Sequence, residues 1–143
     1  MIGLDPDSLR SARLAAGMTQ SDVARAIGVA GGERVSRWEL GLSEPQADSL
    51  VRLAAVLQVN PQEILVSMAE PDLRRLRVLS GRSLRDLAQD VGSSAPAIAR
   101  WENGRVQALP AGAASRLADA LGQDEADILA AFAVSKRQRD QSY

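Results

Sequence analysis

Arginine is the side chain in this sequence best equipped for directional chemistry: sixteen of the seventeen basic residues are Arg, and there is no His and no Cys. A guanidinium offers a planar fork of donors that fits a phosphate or the O6/N7 edge of a guanine, so the composition suits recognition of anions and base edges. A GC-rich coding sequence would produce the same bias. The missing residue types exclude more. Without Cys or His there are no disulfides, no thiolate nucleophiles, no usual zinc ligand sets and no imidazole bases. No phosphate-cradling glycine loop compensates, so no enzyme, metal or cofactor is expected. The aromatic residues Trp38, Trp101, Phe132 and Tyr143 are too few for a stacking platform on single strands.

The residues with this potential recur at a fixed interval. Leu9-Arg-Ser-Ala-Arg-Leu-Ala-Ala-Gly17 returns as Leu73-Arg-Arg-Leu-Arg-Val-Leu-Ser-Gly81, a shift of 64 positions. Val23-Ala24 then matches Leu87-Ala88, and Ile27-Gly28 matches Val91-Gly92. After a slip of one, Arg37-Trp38-Glu39-Leu40-Gly41 matches Arg100-Trp101-Glu102-Asn103-Gly104. Arg52-Leu53-Ala54 and Ile64-Leu65 find Arg116-Leu117-Ala118 and Ile128-Leu129. A register held this long marks a duplicated domain. The expected division is residues 1–69, residues 70–134 and a basic tail, 135–143.

Each copy reads as short helices separated by caps, without the alternating pattern of strands. Asp5-Pro6 opens the first helix and Gly17 stops it. Thr19 caps a second, with Asp22 completing a capping box and Gly28 as the next stop. A third runs from about Gly32 to Leu40, a fourth from Ala47 to Leu57, and Asn60-Pro61 starts a fifth. In the second copy Ser83 and Ser94 are the caps, and the last helix runs from about Asp124 to Val134. Only Glu70-Pro71-Asp72 separates the copies, too little for a flexible tether, so the two domains are expected to pack together. The expectation is all-α: two tandem five-helix domains joined by a very short linker.

Net charge is −1, but the halves differ. Residues 1–70 carry six Arg against nine acids, and residues 71–143 carry ten Arg and one Lys against nine. The second half is the more cationic. No apolar run reaches the length of a membrane span, and Met1 to Arg10 lacks the pattern of a signal peptide. A cytoplasmic protein is expected.

Two short helices meeting at a tight turn, with a small residue where they nearly touch, form a helix-turn-helix. Ala24 and Gly28 supply the contact and the turn in the first copy, and Ala88 and Gly92 do so in the second. Val23, Ile27, Val35 and Trp38 would hold one unit together, and Leu87, Val91, Ile98 and Trp101 the other. Any small helical bundle shows similar apolar spacing. The strings Met18-Thr19-Gln20, Val35-Ser36-Arg37-Trp38-Glu39-Leu40-Gly41, Leu53-Ala54-Ala55-Val56-Leu57 and Asn60-Pro61 are more specific. So are Ala97-Ile98-Ala99-Arg100-Trp101-Glu102-Asn103-Gly104 and Leu117-Ala118-Asp119-Ala120-Leu121-Gly122. At these residues the chain resembles the XRE family, which includes Cro and the lambda-type phage repressors, twice over between Leu9 and Leu129.

The resemblance implies that the third helix of each copy enters the major groove of double-stranded DNA. In the first copy it would present Gly32, Glu33, Arg34, Ser36 and Arg37. Arg37 would read guanine, and Glu33 would accept from cytosine N4. In the second copy Ala95 and Ala97 would touch only a thymine methyl, leaving Arg100 as the polar reader. A solvated face of ion pairs is the alternative. Phosphates would be met by Thr19 and Gln20 in the first copy and by Ser83, Ser94, Asn103 and Arg105 in the second, where Leu84 replaces the family's glutamine. Arg10, Arg74 and Arg75 would face phosphates or solvent. The resemblance also pairs Arg13 with Glu39 and Arg77 with Glu102, as structural contacts.

One departure lies in the first turn: Gly28 to Trp38 spans ten positions where Gly92 to Trp101 spans nine, and Gly31-Gly32 marks the insertion. The function implied is a sequence-specific transcriptional regulator, more naturally a repressor than a small-molecule sensor, and of bacterial or phage type. A homodimer and a protein partner on the second repeat are further expectations. The alternative is an interaction or dimerisation adaptor in which the second repeat, or both, has lost DNA.

Overall fold

The computed structural model describes residues 2–141. Its helices are α1 (Pro6–Ala15), α2 (Gln20–Ile27), α3 (Gly32–Glu39), α4 (Ala47–Leu57), α5 (Leu73–Leu79), α6 (Leu84–Val91), α7 (Ala95–Glu102), α8 (Ala113–Leu121) and α9 (Glu125–Gln141). A 3-10 turn, Pro61–Ile64, lies between α4 and α5. Among the described residues the sole β-type pairing is one antiparallel bridge, Leu4 with Leu65. The class is all-α. The chain divides into two compact units, Met1–Ser67 and Met68–Tyr143. No helix among the described residues is long and apolar enough to cross a membrane.

In the first unit Leu9, Val23, Ile27, Val35, Trp38, Leu50, Leu53 and Ile64 are buried, one face from each element. Full burial of such a side chain is worth about 1.5–3 kcal/mol, which is what holds helices this short in place. The fifth element is the 3-10 turn rather than an α-helix. Asn60 and Glu63 close a capping box around it, and the chain then turns extended at Leu65. Its backbone groups are taken by the amino-terminal segment, with Asp5 N donating to Ile64 O and Val66 N to Gly3 O. Glu44 ties down the same segment by accepting from Ile2 N and Leu4 N at 3.1 and 2.9 Å.

In the second unit Leu73, Leu76, Leu87, Val91, Ile98, Trp101, Leu117, Leu121, Ile128 and Phe132 form one core. Here the fifth element is the longest helix. The sequence expectation ends it near Val134 with a separate tail, but α9 continues to Gln141. Nothing in Ser135-Lys-Arg-Gln-Arg-Asp-Gln141 breaks a helix, and the segment is anchored. Buried Ser135 accepts from Leu73 N through its hydroxyl and donates to Ala131 O, both at 3.2 Å. Lys136 lies over the Phe132 ring, and Arg137 pairs with Glu70 at 2.7 Å. Ser142 and Tyr143, the end of the expected tail, lie outside the described residues.

Candidate nucleic-acid interface

Each unit places two eight-residue helices across a tight turn: α2 and α3 in the first, α6 and α7 in the second. The turns depend on Gly28 and Gly92, at φ 77° and 67°, a left-handed conformation that β-carbon crowding disfavours in other residues. Ala24 and Ala88 are buried beneath them. In the second unit Ser94 follows the turn and its hydroxyl accepts from Ala97 N at 3.2 Å, capping α7. In the first unit the extra residue leaves Gly31 at that position, so α3 starts without a side-chain cap. The glycine that follows is needed for a different reason. A β-carbon on Gly32 would stand 2.8 Å from Ser21 Oγ and 2.9 Å from Ser21 N, so α3 begins directly against the first turn of α2.

Thr19 and Ser83 open α2 and α6 with full capping boxes, accepting from Asp22 N and Asp86 N at 3.0 Å. The Thr19 backbone N–H, followed by its hydroxyl, holds the exposed Asp22 carboxyl below the ordinary carboxylate range, and Arg25 adds a weaker pull. Beside that cap, Gln20 donates from Nε2 to Glu39 Oε1 at 3.2 Å. One amide N–H is thereby committed within the protein, and the second remains for an outside acceptor.

A buried ion pair sets the end of each third helix. Arg13 donates to Glu39 through Nε at 2.6 Å and Nη2 at 3.0 Å, and through Nη1 to Met18 O at 2.9 Å. Arg77 donates to Glu102 at 2.6 and 3.1 Å and to Arg82 O at 2.9 Å. Each guanidinium thus joins its own helix, the connection that follows it and the end of the third helix. The bond to Glu39 raises the Arg13 pKa further, against the opposing effect of its burial. Second partners differ between the units: Glu39 has Gln20, whereas Glu102 has Arg74 at 3.5 Å. Arg74 also donates to Asn103 Oδ1 at 2.8 Å.

On α3, Glu33, Arg34 and Arg37 are exposed and Gly32 and Ser36 half-buried, opposite buried Val35 and Trp38. Among the described residues none of Glu33, Arg34 and Arg37 has an ion-pair partner, so this row is not a face of internal salt bridges. A cavity of about 740 Å³ opens beside it, bounded by Val29, Gly31, the three charged residues, Glu44 of the α3–α4 loop and Asp48 in the first turn of α4. On α7 the exposed residues are Pro96 and Arg100, with Ala95 half-buried. Ala97, expected to face a thymine methyl, is instead buried in the core at 9% exposure. Arg75, expected at phosphate or solvent, is buried as well, and desolvation lowers its pKa against the pull of Asp72. Asn103 and Arg105 are exposed after α7, and Ser83 and Ser94 are surface caps.

The sequence reading missed the anchoring role of Glu44, which shares a cavity with the α3 face, and the approach of α9 to the end of α7. The first is a contact 40 residues apart with no motif of its own. Absence of a helix breaker after Val134 was the available signal for the second.

Two helix-turn-helix units of this geometry define a DNA-binding regulatory protein. A helix-turn-helix family model matches residues 9–64, and a helix-turn-helix domain model matches residues 72–131. Together the two matches mark two tandem XRE-like helix-turn-helix domains in this chain. No curated protein and no solved structure matches it.

Proposed function

We propose that the protein is a sequence-specific regulator of transcription, a repressor acting by occupation of an operator, and that it reads double-stranded DNA through the major groove. The observation that carries this reading is the exposed row of Glu33, Arg34 and Arg37 on α3, with Ser36 beside it. These are the side chains able to distinguish guanine and cytosine edges, set on a helix whose opposite face is core. Thr19 and Gln20 stand at the start of α2, where phosphates are met. The second unit has only Arg100 as a polar reader, so it contributes mainly affinity and register through Ser83, Ser94, Asn103 and Arg105. Action without a catalytic site or cofactor, in the cytoplasm and on the nucleoid, belongs to the same reading.

A second reading is an adaptor whose second repeat docks a protein or a second copy of the chain, supported by the small apolar face of Ala95 and Pro96. Footprinting on genomic fragments, repeated with Arg37→Ala and Arg100→Ala, separates the two. Loss of a discrete footprint with Arg37→Ala is expected. A chain that protects no fragment at low salt would overturn the regulator reading in favour of the adaptor.

A further inference from the structure

The last turns of α9 pack against the end of the second reading helix. A β-carbon on Gly104 would stand 2.8 Å from Ser135 O and 2.9 Å from Lys136 Cα, so the two backbones meet without an intervening side chain. Lys136 Nζ donates to Gln107 O at 2.9 Å, and Arg139 Nη1 to Gly104 O at 3.4 Å. The α7–α8 loop is therefore held by cations from α9. A cavity of about 290 Å³ lies beside it, with Arg74, Asn103, Arg105 and Arg139 among its walls. Of its two carboxylates, Asp72 accepts from Arg75 N, and buried Glu102 is held between Arg77 and Arg74. The segment 103–112 contains no acid. The first unit keeps Arg10 at the position of Arg74 but differs in the loop. Leu40 and Leu42, 69% and 60% exposed, stand where Asn103 and Arg105 do, and its loop carries Glu44.

We propose that Arg74, Asn103, Arg105 and Arg139 form a site for one phosphodiester of duplex DNA, which makes the carboxy-terminal turns of α9 part of the DNA-contacting surface. Guanidinium groups suit bidentate contact with phosphate oxygens. Asn103 accepts from Arg74 through Oδ1, so its amide N–H groups remain as donors. The inference rests on the second unit meeting DNA. It assigns the phosphate grip to that unit, while the base-reading row lies in the first.

The test measures anisotropy of a labelled duplex against salt, using the full chain and several unrelated sequences. An Arg105→Gln/Arg139→Gln variant should flatten the slope of log affinity on log salt by about 0.9, the value for one phosphate, and weaken every duplex alike. Arg137→Gln removes a charge from the same helix on the side paired with Glu70, and should leave the slope unchanged. Because Arg139 also bonds the loop, Arg105→Glu tests the site without disturbing a packed group, with thermal unfolding followed for each variant. A wild-type chain that binds no duplex overturns the DNA reading itself. Wild-type binding with an unaltered slope in both Arg105 variants overturns this site alone. So does loss of inorganic phosphate binding, followed by phosphorus NMR, with the DNA slope intact, which would mark a site for free anions.

Discussion

Gln20 Nε2 lies 3.2 Å from Glu39 Oε1, the same oxygen that accepts from Arg13 Nη2, so the first residue of α2 and the last of α3 are tied by one carboxylate. In the second unit Leu84 cannot make this bond, and Arg74 approaches Glu102 from α5 instead. One link joins the two helices of the helix-turn-helix. The other joins α7 to α5, the first helix of its domain.

Glu102→Ala should therefore be the most damaging single change in the second unit. It leaves Arg77 buried without its partner and releases Arg74, at a cost on the order of 3–5 kcal/mol. Gln20→Leu, which copies the second unit into the first, should cost only about 0.5–1.5 kcal/mol, the net worth of an ordinary hydrogen bond. Denaturant unfolding of both variants checks the ranking, and an equal loss would contradict it.

Gly31 and Gly32 should respond oppositely to Ala. Gly31 is extended at φ 172° with open space around its β position, so Gly31→Ala should be close to neutral. Gly32→Ala drives a methyl into Ser21 and should cost about 1–3 kcal/mol, the range for overpacking, while displacing the reading face. Thermal unfolding and DNA affinity should fall together for the second variant only.

Arg37→Ala should weaken preferred DNA by about 1–3 kcal/mol and relax the base preference at one position, as loss of a bidentate guanine contact does. Competition between preferred and unrelated duplexes measures it. A uniform loss across sequences would make Arg37 a phosphate contact.

Asp22 supplies a pH dependence of known sign. Its carboxyl titrates below its unfolded value because Thr19 stabilises the charged form. The capping contribution is thus complete above the ordinary carboxylate range and is lost as pH falls through the lower folded pKa. Asp22→Asn should lower stability at neutral pH, where the ionised cap contributes in full, and converge with the parent protein below about pH 4, which flattens the acid limb. An unchanged acid limb in the variant would remove Asp22 from the account.

The repeat, the helix order and the turns at Gly28 and Gly92 were legible in the sequence, because apolar period, cap residues and left-handed glycines are local signals that each copy states separately. The same signals misplaced Ala97. It occupies the row of Arg34, but a methyl at that position is short enough to be covered by the core, whereas a guanidinium extends beyond it. They also ended α9 early, since charge alone looks like a frayed terminus when the buried Ser135 and the loop beyond Gly104 are not in view.

By itself, then, the sequence determined the two helix-turn-helix units and the side chains available on their third helices. Tertiary structure decided what those side chains do. Gln20 is shared with Glu39, Glu44 holds the amino-terminal segment, and α9 returns to brace the loop after α7. These outcomes depend on which distant groups arrive within hydrogen-bonding distance, and residue spacing along the chain carries no record of that.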